Sequence, residues 1–201
     1  MAAAALIILG GYLLGSAPFG YWVVRIFRHE DIRTKGSGNI GATNVWRVYG
    51  RRLGAPVILL DVAKGFVPAY IGLQVSGELV GVLAGAAAMA GHWRPLYLRL
   101  EKGGKMVATA GGVALALAPL AAACCVVTWI AVFLVFRYSS VASIVTALAL
   151  PIYIWAFGGD WPVVTFGALA AVAVLLLHKA NMRRLLAGTE SRFRFRSAAR
   201  A

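Results

Sequence analysis

Residues 106–136 carry no charged side chain, and neither do residues 1–24 or 138–159; 161–178 holds only the titratable His178. Runs of this length have no stable place in water. A helix needs about 20 apolar residues to cross the hydrocarbon core, and there its own hydrogen bonds satisfy the backbone. The whole chain follows suit: 61% of its residues are hydrophobic, mean hydropathy is +0.79, and 13% are charged, where an ordinary soluble domain has roughly 25%. The expected fold class is all-α, a polytopic membrane helical bundle. No linker, low-complexity tract or internal period divides residues 1–201, which read as a single integral-membrane domain. No basic residue precedes Arg25, so the first run reads as a retained span and not as a secretory signal. The adjacent Cys124 and Cys125 lack metal or disulfide spacing and read as packing residues.

The net charge of +13 would point to nucleic acid in a soluble protein. In a membrane protein the placement of the charge matters more, and no nucleic-acid partner is expected. Lys and Arg gather at 25–52, 94–105, Arg137 and 179–200, with Lys64 apart; the polar breaks near Glu78, Pro119 and 158–160 have none. Cytoplasmic loops retain positive charge, so the two sets of breaks belong on opposite sides. This gives about seven transmembrane helices, roughly 3–24, 54–75, 79–98, 106–118, 120–136, 140–157 and 161–178, with the N-terminus outside and the C-terminus cytoplasmic. Residues 106–136 also fit one tilted helix kinked at Pro119. That option would flip the basic 179–200 segment to the wrong face, so two spans are preferred.

With this topology three polar, glycine-bearing stretches share the cytoplasmic side. The first contains "GSGNIGATN", 36–44, which satisfies GxGxxG and half of a P-loop. Neither identity survives: Ala42 replaces the P-loop lysine, and apolar runs flank the loop where a dinucleotide fold needs a strand and an amphipathic helix. What remains is local chemistry, with glycines letting amides converge on an anion and Ser37, Thr43 and Asn44 adding donors. Arg47 can grip a phosphate in bidentate fashion. In the second stretch, 91–112, Gly103, Gly104 and Lys105 open an apolar helix whose N-terminus attracts anions. His92 there reads equally as a binding group or as a loop holder. In the third, 178–190, His178 and Asn181 are spaced to share a helix face, and a neutral imidazole can accept a hydroxyl proton. Asp61 and Lys64, at i and i+3 inside an apolar run, read as an internal ion pair. The small residues of 81–91 suggest close helix packing. Arg51, Arg52, Arg183, Arg184 and the "RFRFR" tail fit attraction to lipid headgroups. Patterns such as HExxH, GxSxG and HxxxxD are absent. A transporter for an organic phosphate is the rival reading, but no repeated halves appear and the cations cluster at one interface.

Taken together, "GSGNIGATNVWR", "GHWRPLYLRLEKGGKMVAT" and "HKANMRRLLAGTE" closely resemble, in order and spacing, the three motifs of the PlsY family, the bacterial acyl-phosphate-dependent glycerol-3-phosphate acyltransferases. "YLLGSAPFGYWV", "LDVAKGFVPA" and "RYSSVASI" also look like family segments. The resemblance implies acyl transfer from acyl phosphate to the 1-hydroxyl of glycerol 3-phosphate, giving lysophosphatidic acid and inorganic phosphate in phospholipid synthesis. It implies an inner (plasma) membrane enzyme with its site facing the cytoplasm, and no cofactor, metal or obligatory protein partner. Carried over by motif, Ser37, Gly38, Asn39, Thr43, Asn44 and Arg47 form one phosphate-handling wall, and Gly103, Gly104 and Lys105 the other. His92 joins the substrate-binding set. His178 and Asn181 orient or deprotonate the glycerol hydroxyl, Ser140 and Ser143 line the site, and Glu190 holds the loop of its own motif. The base is either His178 or the acyl phosphate's own oxygen. Family members usually have glycine after "GGK"; here Met106 stands there, either altering the fit or pointing harmlessly to lipid.

Overall fold

The structure is a computed structural model describing residues 1–193. Among these the chain forms ten α-helices and no strand: α1 Ala2–Gly15, α2 Phe19–Arg28, α3 Ala42–Tyr49, α4 Arg51–Ser76, α5 Glu78–Trp93, α6 Val107–Leu117, α7 Pro119–Phe136, α8 Ser139–Ala156, α9 Trp161–Leu177 and α10 Lys179–Leu186. Of the "RFRFR" tail, residues 194–196 lie outside the described residues.

Proline sets several of the boundaries. A residue before proline is pushed out of the α region, and proline itself is favoured at a helix start. Ala118, at φ −147° and ψ 71°, therefore separates α6 from α7, which begins on Pro119. This supports two segments over one kinked helix. Arg94, just ahead of Pro95, likewise leaves the helical region at φ −126°, so the span expected over 79–98 ends at Trp93. Pro18 breaks the first run into α1 and α2.

Each of the seven apolar segments expected from sequence contains a helix of the bundle, but not all are long. By length and apolarity Ala2–Arg28, α4, α7 and α8 are each able to cross a membrane, and α9 with α10, bent by 56°, makes a fifth. The 11 residues of α6 rise only about 16 Å, roughly half of a hydrocarbon core about 30 Å thick. Lengths alone thus support four or five crossings where about seven were expected, because the proline and glycine breaks shorten α5 and α6.

The bundle has an apolar exterior: Leu59, Val127, Val135, Trp155 and Leu169 are all more than half exposed. That is the surface a lipid environment accepts and water does not. Inside, small residues let backbones meet. A Cβ on Gly65 of α4 would collide with the Thr109 carbonyl of α6, and one on Gly15 of α1 with the backbone of Ala88 in α5, as the small-residue run 81–91 suggested. Around α4 pack α1, α3, α5 and α6, while α7, α8 and α9 form a second group joined to the first through α6–α7 and α5–α9. Cys125 is a buried free thiol and Cys124 a partly buried one, consistent with packing.

Candidate active site

Between the two helix groups lies a cavity of about 410 Å³. Its lining combines Ser37, Thr43, Arg47, Lys105, His178 and Asn181 with apolar side chains of α6 and α7, including Leu115, Val126 and Ile130. Asn39, Asn44, His92, Ser140 and Ser143 also line it, whereas Gly38, Gly103, Gly104 and Glu190 do not.

The loop before α3 is stitched from within. Asn44 donates both amide hydrogens, to Lys35 O at 3.0 Å and Asn39 O at 2.9 Å, and its Oδ1 accepts the Ser37 amide at 2.9 Å. Asn39 Oδ1 accepts the Gly41 amide at 2.8 Å, and its Nδ2 donates to Gly103 O at 3.3 Å. The Gly38 amide is spent on Lys35 O. The loop thus takes up the amides of Ser37, Gly38, Gly41 and Asn44 itself, and the Asn44 side chain has no hydrogen left to donate. Asn39 and Asn44 brace the wall and line the cavity beside Ser37, Thr43 and Arg47. Gly36 sits at φ 56°, where a Cβ would collide with Asn44 Oδ1, so this turn demands glycine. Arg47 Nε is buried without a hydrogen-bond partner among the described residues, and burial lowers the guanidinium from its ordinary value. A poorly solvated cation of this kind gains from an anion.

The second wall is also tied internally. Gly103 donates to Trp93 O and Gly104 to His92 O, each at 2.9 Å, so these two amides dock the loop on the end of α5. A Cβ on Gly104 would run into the His92 ring. What the loop delivers is Lys105, whose Nζ donates to Asn181 Oδ1 at 2.5 Å. Burial pushes its ammonium down to about 8. Met106 resolves the question posed by its departure from glycine: it adopts φ 67°, the left-handed conformation glycine favours, so the turn into α6 keeps its shape. Its side chain packs in the protein core and not toward lipid.

His178 stands at the bend between α9 and α10, with Nδ1 2.8 Å from Val174 O. A carbonyl only accepts, so Nδ1 carries the proton and Nε2 keeps the lone pair. Glu190 does more than hold its own loop. Its Oε1 accepts from Asn181 Nδ2 at 2.7 Å and from Ser140 Oγ at 2.8 Å, and its Oε2 from Arg184 Nε at 2.7 Å. Burial works to raise this carboxyl, but those hydrogen bonds outweigh it and hold it below its ordinary value. Arg184, assigned above to lipid headgroups, thus has an internal partner. Ser143 Oγ accepts from Trp129 Nε1 at 3.2 Å. The expected Asp61–Lys64 ion pair is present at 2.7 Å. Its contact with the cavity through Asp61 escaped sequence reasoning, as did the apolar lining, whose residues carry no motif.

The profile of a family described as glycerol-3-phosphate acyltransferase matches residues 5–188. A glycerol-3-phosphate acyltransferase of Desulforudis audaxviator is 44% identical over 198 residues, covering 98% of this chain and all of the relative. The crystal structure of PlsY, an integral membrane glycerol 3-phosphate acyltransferase, in its glycerol 3-phosphate form superposes with a TM-score of 0.92 at 36% identity, over 96% of both chains. This chain belongs to the PlsY family. The lysophosphatidic acid form of that PlsY gives a TM-score of 0.89 over the same share of each chain. A further relative, from Sinorhizobium fredii, is 44% identical over 90% of this chain and 88% of its own. As a PlsY-family protein the chain is a membrane acyltransferase that acylates glycerol 3-phosphate.

Proposed function

We propose that this protein transfers a fatty acyl group from acyl phosphate to the 1-hydroxyl of glycerol 3-phosphate, releasing lysophosphatidic acid and inorganic phosphate. The observation that carries the reading is one cavity whose lining joins a set of cations and hydroxyls to a set of apolar side chains. Two anionic headgroups fit the first and an acyl chain the second. Ser37, Thr43 and Arg47 hold one phosphate and Lys105 the other. The hydroxyl oxygen attacks the acyl carbonyl carbon and the bond from that carbon to the phosphate oxygen breaks. Lys105 and Arg47 stabilise the charge that develops on the departing phosphate.

The hydroxyl proton goes to His178 Nε2, the ring atom that the bond to Val174 O leaves as acceptor. If His178 is not the base, the proton goes to an oxygen of the acyl phosphate. Asn181, fixed on Glu190, holds the Lys105 ammonium in place. The basic clusters favour an N-terminus outside, a cytoplasmic C-terminus and seven crossings of the inner membrane, with the site on the cytoplasmic face.

The test is phosphate release by purified protein in detergent, supplied with acyl phosphate and glycerol 3-phosphate. Wild type is expected to turn over and Lys105→Ala to lose at least about a hundredfold; substituting an acyl-thioester donor should give no product. Product formed from the thioester overturns the donor assignment, and flux in sealed vesicles without phosphate release would indicate a transporter. In His178→Ala a loss of about a hundredfold or more supports the histidine base; unchanged turnover assigns the proton to the substrate.

A further inference from the structure

We propose that Asp61 and His92 form a buried positioning pair that sets the seat of Lys105, an inference that rests on the acyltransferase reading above. Asp61, Lys64 and His92 are 2%, 1% and 4% exposed, on the adjacent helices α4 and α5. An ion pair that served only packing would need no third member and no face on the cavity. Lys64 is satisfied without His92: its Nζ lies 2.7 Å from Asp61 Oδ1 and donates to Ala17 O at 2.9 Å, at the break between α1 and α2. Asp61 and His92 both line the cavity, and Lys64 does not.

His92 Nδ1 lies 3.8 Å from Asp61 Oδ1, the oxygen that Lys64 already pairs with, and is itself buried without a hydrogen-bond partner among the described residues. Buried polar atoms without a partner are rare and costly. Hydrogen bonds at catalytic sites are often long before substrate binds. A movement of about 1 Å would close this gap to a charge-assisted bond.

The opposite edge of the ring is where the movement would be felt. The His92 ring abuts Gly104 so closely that no side chain fits there, and the His92 carbonyl holds the Gly104 amide at 2.9 Å. The next residue is Lys105, whose Nζ meets Asn181. A contact path therefore runs from the Asp61 carboxylate through the His92 ring and Gly104 to the one lysine at the reacting end. A displacement of about 1 Å in such a group can cost on the order of a hundredfold in rate.

Asp61→Asn alone would strand the Lys64 charge, so the test uses Asp61→Asn/Lys64→Met, which removes both charges at similar volume. His92→Phe keeps a ring against Gly104 and removes the Nδ1 donor. Each is expected to keep near wild-type thermal stability and to lose at least about tenfold in kcat/KM. The combination should lose no more than either alone, since the two sites act through one path. Wild-type kinetics in Asp61→Asn/Lys64→Met, or losses that multiply in the combination, overturn the proposal. A second readout needs no turnover: mass-spectrometric mapping of the rate at which an amine-reactive reagent labels Lys105. His92→Phe is expected to change that rate several-fold, and an unchanged rate overturns the proposal even where the double variant fails to accumulate. Wild-type protein that releases no phosphate while Lys105 labelling still responds to His92→Phe defeats the acyltransferase reading and leaves the positioning pair standing.

Discussion

Lys105 reaches Asn181 because the two glycines before it spend their amides on the end of α5. Its burial has a measurable consequence. With the ammonium depressed to about 8, the substrate-free enzyme is charged at this position below that pH and loses the charge as pH rises through it. The pH profile of kcat/KM, which reports the free enzyme, is expected to fall above about 8. In Lys105→Arg, whose guanidinium stays charged beyond pH 12, that descent should vanish whatever the absolute activity. Met106 makes a different prediction. Its left-handed backbone costs about 1 kcal/mol, against about 2 kcal/mol for burying its side chain. Met106→Gly is therefore expected to lower thermal stability by about 1 kcal/mol while leaving kcat within about twofold, because glycine takes the same turn. A collapse of kcat with stability intact would show that the side chain itself shapes the site.

Among the helices, α6 carries most of the site's consequences. It packs backbone to backbone on α4 through Gly65 and Gly112, presents Val107 and Gly111 to the cavity, and stops at Ala118 because of Pro119. Gly111 has open space where a side chain would go. Gly111→Leu should thus fold normally and fill part of the cavity beside its apolar lining. The expected result is a shift toward shorter acyl chains, with the longest donors losing at least about tenfold (~1.4 kcal/mol); an unchanged chain-length profile would place the acyl chain elsewhere. The existence of α6 and its separation from α7 were legible from the apolar run and Pro119. Its role as a cavity wall was not, since alanines and glycines facing a cavity have no pattern that distinguishes them from those facing a neighbouring helix.

At the level of the whole molecule, the site is assembled from parts far apart in the chain: the 36–47 loop and helix, the 103–105 turn, and the α9–α10 bend. Glu190 fastens the last of these to Ser140 on α8. In the proposed topology all three face the cytoplasm. Single cysteines at Ser37 and Ser191, in a background lacking Cys124 and Cys125, are expected to react with an impermeant maleimide only after the membrane is opened. A cysteine at Gly77 should react in intact cells. The reverse labelling would invert the topology.

Sequence alone determined that the chain must fold as apolar helices, because uncharged runs of this length have no other stable environment. It also singled out Ser37, Thr43, Arg47, Lys105, His178 and Asn181, because hydroxyls, cations and an imidazole beside glycine turns are chemically conspicuous. Which of the marked groups remain free for a ligand was decided by tertiary structure. Asn44, Gly103 and Gly104 look like binding residues, yet the Asn44 side-chain hydrogens and the two glycine amides are consumed in closing loops onto neighbouring backbone. Asp61 looks like half of a private ion pair, yet it borders the cavity. A hydrogen-bonding group carries the same letter in the sequence whether its partner is its own backbone or a substrate, and only the distances between folded segments assign one or the other.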